Sequence, residues 1–428
     1  MKTMIQKPMS KVSDRPLRIL MPSYRSHPFT GGQGIYMRLV TKAMIELGHT
    51  VEVISGQPYP ILDKGVKLTK LPSLDLYSYD SPLKAFKFNL LKEPIDLYEW
   101  LSHLSGGFSE PYTFGERMAA WGKNNYNRFD VVHDNQTLAY GLIKLRDMGV
   151  PVVGTIHHPI TMDKRIDIKH AETLSLKILK WRWYSFLKMQ IKVARKLDPI
   201  IVVSENTRKD VVKDFKIDPK KTRKVLHGID HKTFEPIPSI KRKRNQLITT
   251  ASADVPLKGL IYLIRAYSDL LNDFPDLSLI VIGKLRDGPT SKELVKRGIK
   301  DKVKFISDLT SRQIAELYAE STIAVSPSVY EGFGFPAGEA MSCGIPLIST
   351  NGGSLPEVVG NSGIVVPHSN PNELQRAIKE LLLSPEKRKE LGEKGRNRVL
   401  EKFTWKRAAR ELVDVYREAI SNADNRSR

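Results

Sequence analysis

The sequence has 428 residues, 68 lysines and arginines against 47 aspartates and glutamates, and one cysteine. This length exceeds what one hydrophobic core usually supports, so it predicts two domains, and the lone Cys343 excludes an intramolecular disulfide. No apolar run is long enough to span a membrane and the start has no signal-peptide pattern, so we expect a cytoplasmic protein.

The formal net charge of +21 is the unusual property of this composition. Such a surface attracts anionic partners: lipid head groups, phosphorylated substrates or nucleic acid. A lysine-rich surface that merely keeps the protein soluble explains the charge equally well. The charge alone leaves both interpretations open.

The first half alternates short β-branched runs with helical periodicity. A glycine-bearing loop, HPFTGGQG, follows the first run, and a helix is predicted from about Met37 to Gly48. Alternation of strands and helices predicts a doubly wound parallel sheet. The predicted strands are 17–23, 49–56, 129–135, 150–158 and 199–205.

The second half restarts at NQLITTASA and repeats the pattern, so we expect a second sheet of the same class. The proline-containing, basic stretch 236–245 has the composition of a linker. A long helix ends the chain. The predicted boundaries are 16–235 for the first domain, 236–245 for the linker, 246–402 for the second domain and 403–422 for the final helix.

Two carboxylates, Glu331 and Glu339, flank a glycine-rich loop in SPSVYEGFGFPAGEAMSCG. Pro336 suits the first turn of a following helix, whose N-terminus would favour a phosphate. Glu339, predicted inside that first turn, could accept two hydrogen bonds from a vicinal diol such as a ribose, and Glu331 could bind sugar hydroxyls. A purely structural interpretation is also open, because a glutamate stabilises a helix start and glycines form turns.

This loop resembles the E-x7-E signature of the retaining glycosyltransferases of family four. The resemblance covers most of residues 16–420 and implies an α/β GT-B fold. In that fold two Rossmann-like doubly wound domains face a central cleft, and the C-terminal helix crosses back to the N-terminal domain. The first domain would bind the acceptor and the second the nucleotide-sugar donor. The matching segments are 22–56, 224–234, 326–359 and 403–419.

The resemblance also implies roles for residues of the two-glutamate loop. Glu339 would hold the ribose of the nucleotide, and Glu331 would face the transferred sugar near its anomeric centre as a catalytic residue. The backbone of Gly332, Phe333 and Gly334 would contact the sugar hydroxyls.

Residues elsewhere complete the implied site. Gly31 and Gly32 match the loop that faces the diphosphate, with Gln33 and Gly34 beside them, and Lys258 matches the lysine that neutralises the leaving group. Family members usually need no metal for that purpose, so no cofactor is expected. His157, in VVGTIHHP, matches a catalytic histidine beside the donor sugar. The adjacent His158 leaves this assignment uncertain by one residue, and a structural histidine remains the alternative.

The sequence departs from the family pattern at two positions. Ala253 stands where the family usually has an arginine, five residues before Lys258, so one expected diphosphate cation is missing. Lys284 and Arg286 follow the next strand and could compensate. His227 replaces a common asparagine. These departures bear on donor identity and on turnover.

The acceptor side is less determined. Residues 174–197 read as one long helix with a basic face and an apolar face, which fits either an anionic membrane surface or packing against the protein's own sheet. Residues 83–104 are a second aromatic-rich candidate. A lipid-linked acceptor would fit both segments and the net charge.

We therefore expect a cytoplasmic, retaining glycosyltransferase, with peripheral contact to the inner face of the cytoplasmic membrane left open. It would transfer a sugar from a UDP- or GDP-linked donor to a hydroxyl of a glycan, a lipid-linked or a small-molecule acceptor.

The alternatives are a GT-B phosphorylase or epimerase, and a non-catalytic protein that binds nucleic acid or membranes. No nucleic acid partner is expected, because zinc and RNP motifs are missing from the sequence. A nicotinamide-dependent oxidoreductase is excluded, since neither the glycine fingerprint nor the acid after the second strand fits.

Overall fold

The computed structural model describes residues 15–28, 32–86, 88–251 and 255–426. The strands form two fully parallel sheets. The first contains β1 (Arg18–Ser23), β2 (Thr50–Ser55), β3 (Lys67–Lys70), β4 (Val131–Asn135), β5 (Val152–Ile156), β6 (Ile200–Val202) and β7 (Thr222–Lys224). The second contains β8 (Gln246–Thr250), β9 (Ser278–Ile282), β10 (Val303–Ile306), β11 (Ile323–Ser326), β12 (Leu347–Thr350) and β13 (Ile364–Val366).

Helices cover both faces of each sheet. Those around the first sheet are α1 (Gly32–Glu46), α2 (Pro94–Leu104), α3 (Glu110–Gly122), α4 (Tyr140–Asp147), α5 (Thr161–Lys169), α6 (Leu174–Trp183), α7 (Leu187–Lys196) and α8 (Glu205–Phe215). The later helices are α9 (Leu260–Leu270), α10 (Pro289–Lys296), α11 (Ser311–Glu320), α12 (Phe335–Ser342), α13 (Leu355–Val359), α14 (Pro371–Leu383), α15 (Pro385–Lys402) and α16 (Trp405–Arg426).

The strand orders are β3-β2-β1-β4-β5-β6-β7 and β10-β9-β8-β11-β12-β13. In each sheet the order reverses direction next to the first strand of the domain, which is the doubly wound arrangement. The central strands are buried throughout, because helices cover both of their faces. The predicted α/β class with two parallel sheets is confirmed.

Helix α1 begins earlier than predicted, at Gly32 rather than near Met37. The reason is a close backbone approach: a Cβ added to Gly34 would lie 2.0 Å from the carbonyl oxygen of His27. Gly34 therefore packs as part of the first helical turn, and the buried Tyr36 continues it. Gly32 and Gly34, predicted to lie in a loop, belong to the helix start.

The prediction of a single helix over 174–197 is wrong. The structure has two helices, α6 and α7, separated by a 3₁₀ turn over Tyr184–Phe186. The aromatic rings of that turn pack into a small core with Phe108, and this burial bends the chain. The turn interrupts the continuous basic face that the sequence predicted.

The final helix α16 packs on the N-terminal domain, as predicted. Tyr416 is fully buried, and its hydroxyl lies 2.5 Å from Nδ1 of the buried His133. Just before α16, the chain runs beside the segment that leaves the first domain, where Ile229 N donates to Phe403 O at 2.7 Å. The two crossings between the domains are therefore hydrogen-bonded to each other.

The stretch between the domains, 236–245, contains neither helix nor strand. The exact domain boundaries stay a prediction. Within the described ranges, no helix combines the length and the apolar character needed to cross a membrane.

Replacing Tyr416 with Phe should lower the free energy of unfolding by about 1–3 kcal/mol, because the buried His133 nitrogen loses its partner. Urea unfolding of the variant and the wild type measures this difference. Tyr262→Phe is the matched control, since the Tyr262 hydroxyl has no hydrogen bond to any described residue, and this substitution should change stability by only a few tenths of a kcal/mol. Equal stability of the Tyr416 variant and the wild type would show that this contact does not hold the helix.

Candidate active site

The two domains meet where the central strands of their sheets end. β5 ends at Ile156 in the first domain, and β11 ends at Ser326 in the second. The segments that follow are in contact: a Cβ added to Gly332 would lie 2.2 Å from the carbonyl oxygen of His157. Ligands of parallel α/β sheets bind beyond the carboxyl ends of the strands. This meeting place is the candidate active site.

Glu331 is held on the C-terminal side of the cleft. Lys258 Nζ and Ser328 Oγ each donate to its Oε1 at 2.7 Å. Its backbone is fixed as well, because Ser354 N and Oγ donate to the Glu331 carbonyl at 2.9 and 3.1 Å. The structure thus brings together two predicted site residues, Glu331 and Lys258, as a part-buried ion pair.

The three residues after Glu331 form the contact with the N-terminal domain. Ser204 Oγ and Thr207 Oγ1 both donate to the Gly332 carbonyl at 3.2 Å. Gly334 has a φ of +98°, in the left-handed region, and precedes α12. Phe333 is buried. In this arrangement the Gly332 carbonyl is engaged by the protein itself.

Glu339 lies in the fifth position of α12, so its predicted place in the first turn is wrong. The helix begins at Phe335, so Pro336 lies in its first turn, as predicted. Burial, and then the charge of Asp230, raise the pKa of the Glu339 carboxyl to about 7. Its carboxylate has no hydrogen bond to any described residue, which leaves both oxygens available to a ligand's hydroxyl groups.

His157 directly follows β5, and both of its ring nitrogens are hydrogen-bonded. Nε2 lies 2.6 Å from Asn135 Oδ1, and Nδ1 lies 2.9 Å from His227 Nε2. Because a carbonyl oxygen can only accept, Nε2 carries the proton and Nδ1 accepts from His227. Burial, followed by the neighbouring His227, holds the pKa of His157 well below its usual range. The imidazole is therefore neutral, and its two hydrogen bonds hold the segment that follows β5 in place.

His158, the alternative assignment, points elsewhere. Its Nε2 lies 3.0 Å from Asp163 Oδ2 on α5, and its Cβ would be 2.7 Å from a Cβ at Gly332. The side chain is therefore beside the cleft, although its ring is turned towards its own domain.

His227 links the histidine pair to the aromatic residues at the domain junction. Its ring stacks on Phe335 with centroids 5.4 Å apart, and it lies near Tyr36 and Trp405. Burial, and then the charge of His133, lower the pKa of His227 to about 3. The histidine that replaces the family's asparagine is thus a neutral core residue.

The predicted diphosphate region is described in part. Gly31 and Ala253 lie outside the described residues. Gly32 opens α1, and a Cβ on it would lie 3.7 Å from the Phe335 ring across the cleft. Lys284 and Arg286 are exposed after β9, and no ion pair joins either to a described residue.

Asn135 and Gln136 are site residues that the sequence interpretation missed. Gln136 Oε1 accepts from His157 N at 2.6 Å, and Gln136 Nε2 donates to His158 O at 2.8 Å. The amide side chain thereby fixes the backbone of both histidines. Their position at the carboxyl end of a buried strand was the available signal, since ligands of such sheets bind there.

Metal ligation finds no support in the described part of the chain, where no group of three or more His, Cys, Asp or Glu side chains is arranged to hold a metal ion. The cation that pairs with the two-glutamate loop is Lys258, through Glu331.

Both halves of the chain match profiles of known protein families. Residues 30–233 match the profile described as Glycosyltransferase Family 4, and residues 232–398 match the profile described as Glycosyl transferases group 1. An MMP alpha-(1->4)-mannosyltransferase from Mycolicibacterium hassiacum is 42% identical over 411 residues, covering 95% of this chain and 99% of that protein. A D-inositol 3-phosphate glycosyltransferase from Streptomyces bingchenggensis is 28% identical, covering 96% and 91%.

Solved structures share the fold at low sequence identity. Sucrose-phosphate synthase from Thermosynechococcus elongatus has a TM-score of 0.70 at 20% identity, covering 95% of this chain and 100% of that one. Anabaena HepE in complex with UDP and glucose has a TM-score of 0.68 at 15% identity, covering 93% and 98%. These likenesses support the predicted GT-B fold.

Replacing His227 with Asn should reduce the pH dependence of stability. An unfolded histidine takes up a proton near pH 6.5 whereas His227 stays neutral to about pH 3, so its contribution is present above pH 6.5 and is lost as the pH falls. Between pH 7 and pH 5 the wild type should therefore lose roughly 2 kcal/mol of unfolding free energy relative to the variant.

Urea unfolding at both pH values checks this difference between proteins. The difference between the two proteins is compared because other groups also make stability depend on pH. Burial raises the pKa of Asp134 and of Glu339 to about 7, so these carboxyls increase stability as the pH falls, and they do so equally in both proteins. His170→Asn, at an exposed histidine, is the control. A constant difference between wild type and His227→Asn across this range would contradict a neutral, buried imidazole.

Proposed function

The chain belongs to the group 1 glycosyl transferases of family four, and from this premise we propose that it is a retaining mannosyltransferase. It transfers the sugar from a UDP- or GDP-linked donor to a hydroxyl of a glycan, a lipid-linked or a small-molecule acceptor. The choice of mannose rests on the relative that is 42% identical over nearly the whole chain. The nucleotide diphosphate is supported by Anabaena HepE, which was solved with UDP-glucose.

The observation that carries the proposal is the contrast between the two carboxylates of the 331–339 segment. Glu331 is balanced by Lys258 at 2.7 Å, while Glu339 is part-buried, has a pKa raised to about 7 and has no hydrogen-bond or ion-pair partner among the described residues. A ribose diol would donate two hydrogen bonds to Glu339 and favour its charged form. Glu331 and Lys258 would then face the sugar and the diphosphate at the other end of the same segment.

The chemical step needs charge stabilisation more than a base. The bond between the anomeric carbon and the diphosphate oxygen breaks, and negative charge grows on that oxygen. Lys258 and the N-terminus of α12 stabilise this charge. The acceptor oxygen bonds to the anomeric carbon on the face that the diphosphate leaves, and its proton passes to the departing phosphate oxygen. With Lys258 in this role, the proposal includes no obligatory metal.

His157 acts in this proposal as a positioning residue. Its neutral ring is hydrogen-bonded to Asn135 and His227, so it has no spare nitrogen with which to accept the acceptor's proton. Instead it fixes the end of β5 against Gly332 and sets the width of the cleft at the sugar.

An exposed apolar stripe on α6, a helix of the N-terminal domain, supports a peripheral contact with an anionic membrane. On α6, Leu174 is 74% exposed, Ile178 61% and Trp181 53%, and together they form one stripe. Lys164 and Lys188 lie over the Trp181 ring at 5.7 and 5.4 Å. An apolar stripe flanked by lysines matches the boundary between acyl chains and anionic head groups. A lipid-linked acceptor would be presented there.

Alanine at the two glutamates should give different kinetic defects. Glu331→Ala should lower kcat by roughly 100-fold or more, because the sugar-facing group acts in the transition state. Glu339→Ala should raise the donor KM about 10- to 100-fold with a smaller change in kcat, because it loses hydrogen bonds to a charged group. Steady-state sugar transfer, with product analysis by NMR, measures both parameters and the anomeric configuration.

Glu401→Ala, at an exposed acid of α15, is the control for these kinetics and should behave as the wild type. Wild-type kinetics in both active-site variants would contradict the residue roles. An inverted product, a sugar phosphate or an epimerised donor would contradict retaining transfer.

Glutamate at both Leu174 and Ile178 should reduce binding to anionic vesicles by roughly tenfold or more, since the stripe can no longer enter the apolar layer. Co-sedimentation with phosphatidylcholine vesicles, with and without phosphatidylglycerol, measures this. The control carries glutamate at Val295 and Leu400, two exposed apolar residues of the other domain. Wild type that fails to sediment, or a double variant that binds equally well, would refute the contact.

A further inference from the structure

A second concave surface lies at the opposite end of the C-terminal sheet from the candidate active site. This linker groove has a volume of about 910 Å³ and is bounded by the linker, the end of α12 and one face of α15. It opens at the amino ends of the strands, because Asn245, Thr322 and Pro346 directly precede β8, β11 and β12. Its basic side chains are Arg242, Lys243, Arg244, Arg388, Lys389 and Arg396, with Glu393 as the one acid among its lining residues.

Three guanidinium groups of the linker groove are held by backbone carbonyls. Arg242 donates to Ser321 O at 2.8 Å, Arg388 to Leu382 O at 2.8 Å, and Arg396 to Ser342 O at 3.0 Å. A carbonyl fixes the direction of a guanidinium but does not cancel its charge. The three cations are therefore positioned in advance and remain positively charged.

Two of the three remaining cations add uncompensated charge. Lys243 pairs with Glu320 at 2.6 Å, but no ion pair or hydrogen bond joins the side chain of Arg244 or Lys389 to a described residue. Burial lowers the pKa of Arg242, and the charge of Arg388 lowers it further. The arginines that hold carbonyls also serve to cap helix ends, which explains why they are there. Capping does not explain Arg244 and Lys389.

We propose that the linker groove binds a small, multiply charged phosphate compound. A groove of this volume is in the range of small-molecule sites, which favours a compact ligand over a nucleic acid duplex. Arginine forks match phosphate oxygens in geometry, and the N-terminus of the 18-residue α15 adds a favourable dipole.

The groove has a direct structural connection to the active site through α12. Cys343 and Gly344, which directly follow this helix, line the groove, and Glu339 lies one turn earlier along the chain. Arg242, in the linker, donates to Gly344 O at 3.0 Å. An anion that draws Arg242 and Arg396 into the groove therefore acts on both the linker and the helix that carries Glu339. Occupancy should change donor affinity without competing for the donor cleft.

Calorimetry with inorganic tripolyphosphate tests the site on the full chain. The double variant Arg244→Glu/Lys389→Glu alters two exposed side chains that have no described partner, so the fold should tolerate it. Its Kd for tripolyphosphate should rise at least roughly tenfold relative to the wild type. Lys406→Glu/Arg410→Glu makes the same charge change on exposed positions of α16 and should bind as the wild type.

Lys258→Ala separates the groove from the donor cleft. Tripolyphosphate binding that survives this variant but is lost in the groove variant supports the proposal. Absence of binding to the wild type, equal weakening in the groove and control variants, or loss of binding in Lys258→Ala would each overturn it. None of these measurements depends on sugar transfer, so failure here is distinguishable from failure of the proposed function.

Discussion

The arrangement of the whole cleft depends on a contact that only glycine permits. The backbone of Gly332 in the C-terminal domain lies against the carbonyl of His157 in the N-terminal domain, with no room for a Cβ between them. Ser204 and Thr207 complete this contact through the Gly332 carbonyl. Because both partners follow central strands, the contact brings the carboxyl ends of the two sheets together, and every proposed substrate contact is built around that junction.

Charge is distributed unevenly around this junction, and the proposed role of each side chain follows from its charge. Glu331 and Lys258 neutralise each other on the C-terminal side, whereas His157 and His227 are neutral because burial disfavours their protonated forms. Glu339 is part-buried, and its carboxylate has no hydrogen bond to a described residue. A ligand with hydroxyl groups would donate hydrogen bonds to the Glu339 carboxylate, and a ligand with a diphosphate would give Lys258 a second anionic partner.

Much of the fold could be predicted because the central strands are short β-branched runs and the domains restart with the same pattern. The family followed from a resemblance that covers most of residues 16–420, in which the loop from Glu331 to Glu339 is the specific motif. Helix starts could not be located so well: α1 begins at Gly32 because of a backbone contact with His27 that no local propensity encodes. The break at Tyr184–Phe186 likewise depends on tertiary packing with Phe108.

The hydrogen-bond partners of the histidines could not be predicted from the sequence either. The motif indicated His157, but its partners Asn135 and His227 come from positions 22 residues before and 70 residues after it. Only the folded sheet brings these side chains together, and only their hydrogen bonds show that His157 has no free nitrogen. The groove behind α12 was missed for the same reason, since its cations come from the linker and from α15.

The central claim is that Glu339 holds the nucleotide of the donor. Calorimetric binding of a panel of UDP-, GDP- and ADP-sugars to the wild type and to Glu339→Ala tests it most directly. The account predicts one preferred nucleotide for the wild type, with binding weakened at least roughly tenfold in the variant. Binding of every nucleotide sugar with equal affinity to both proteins, or to neither, would contradict it.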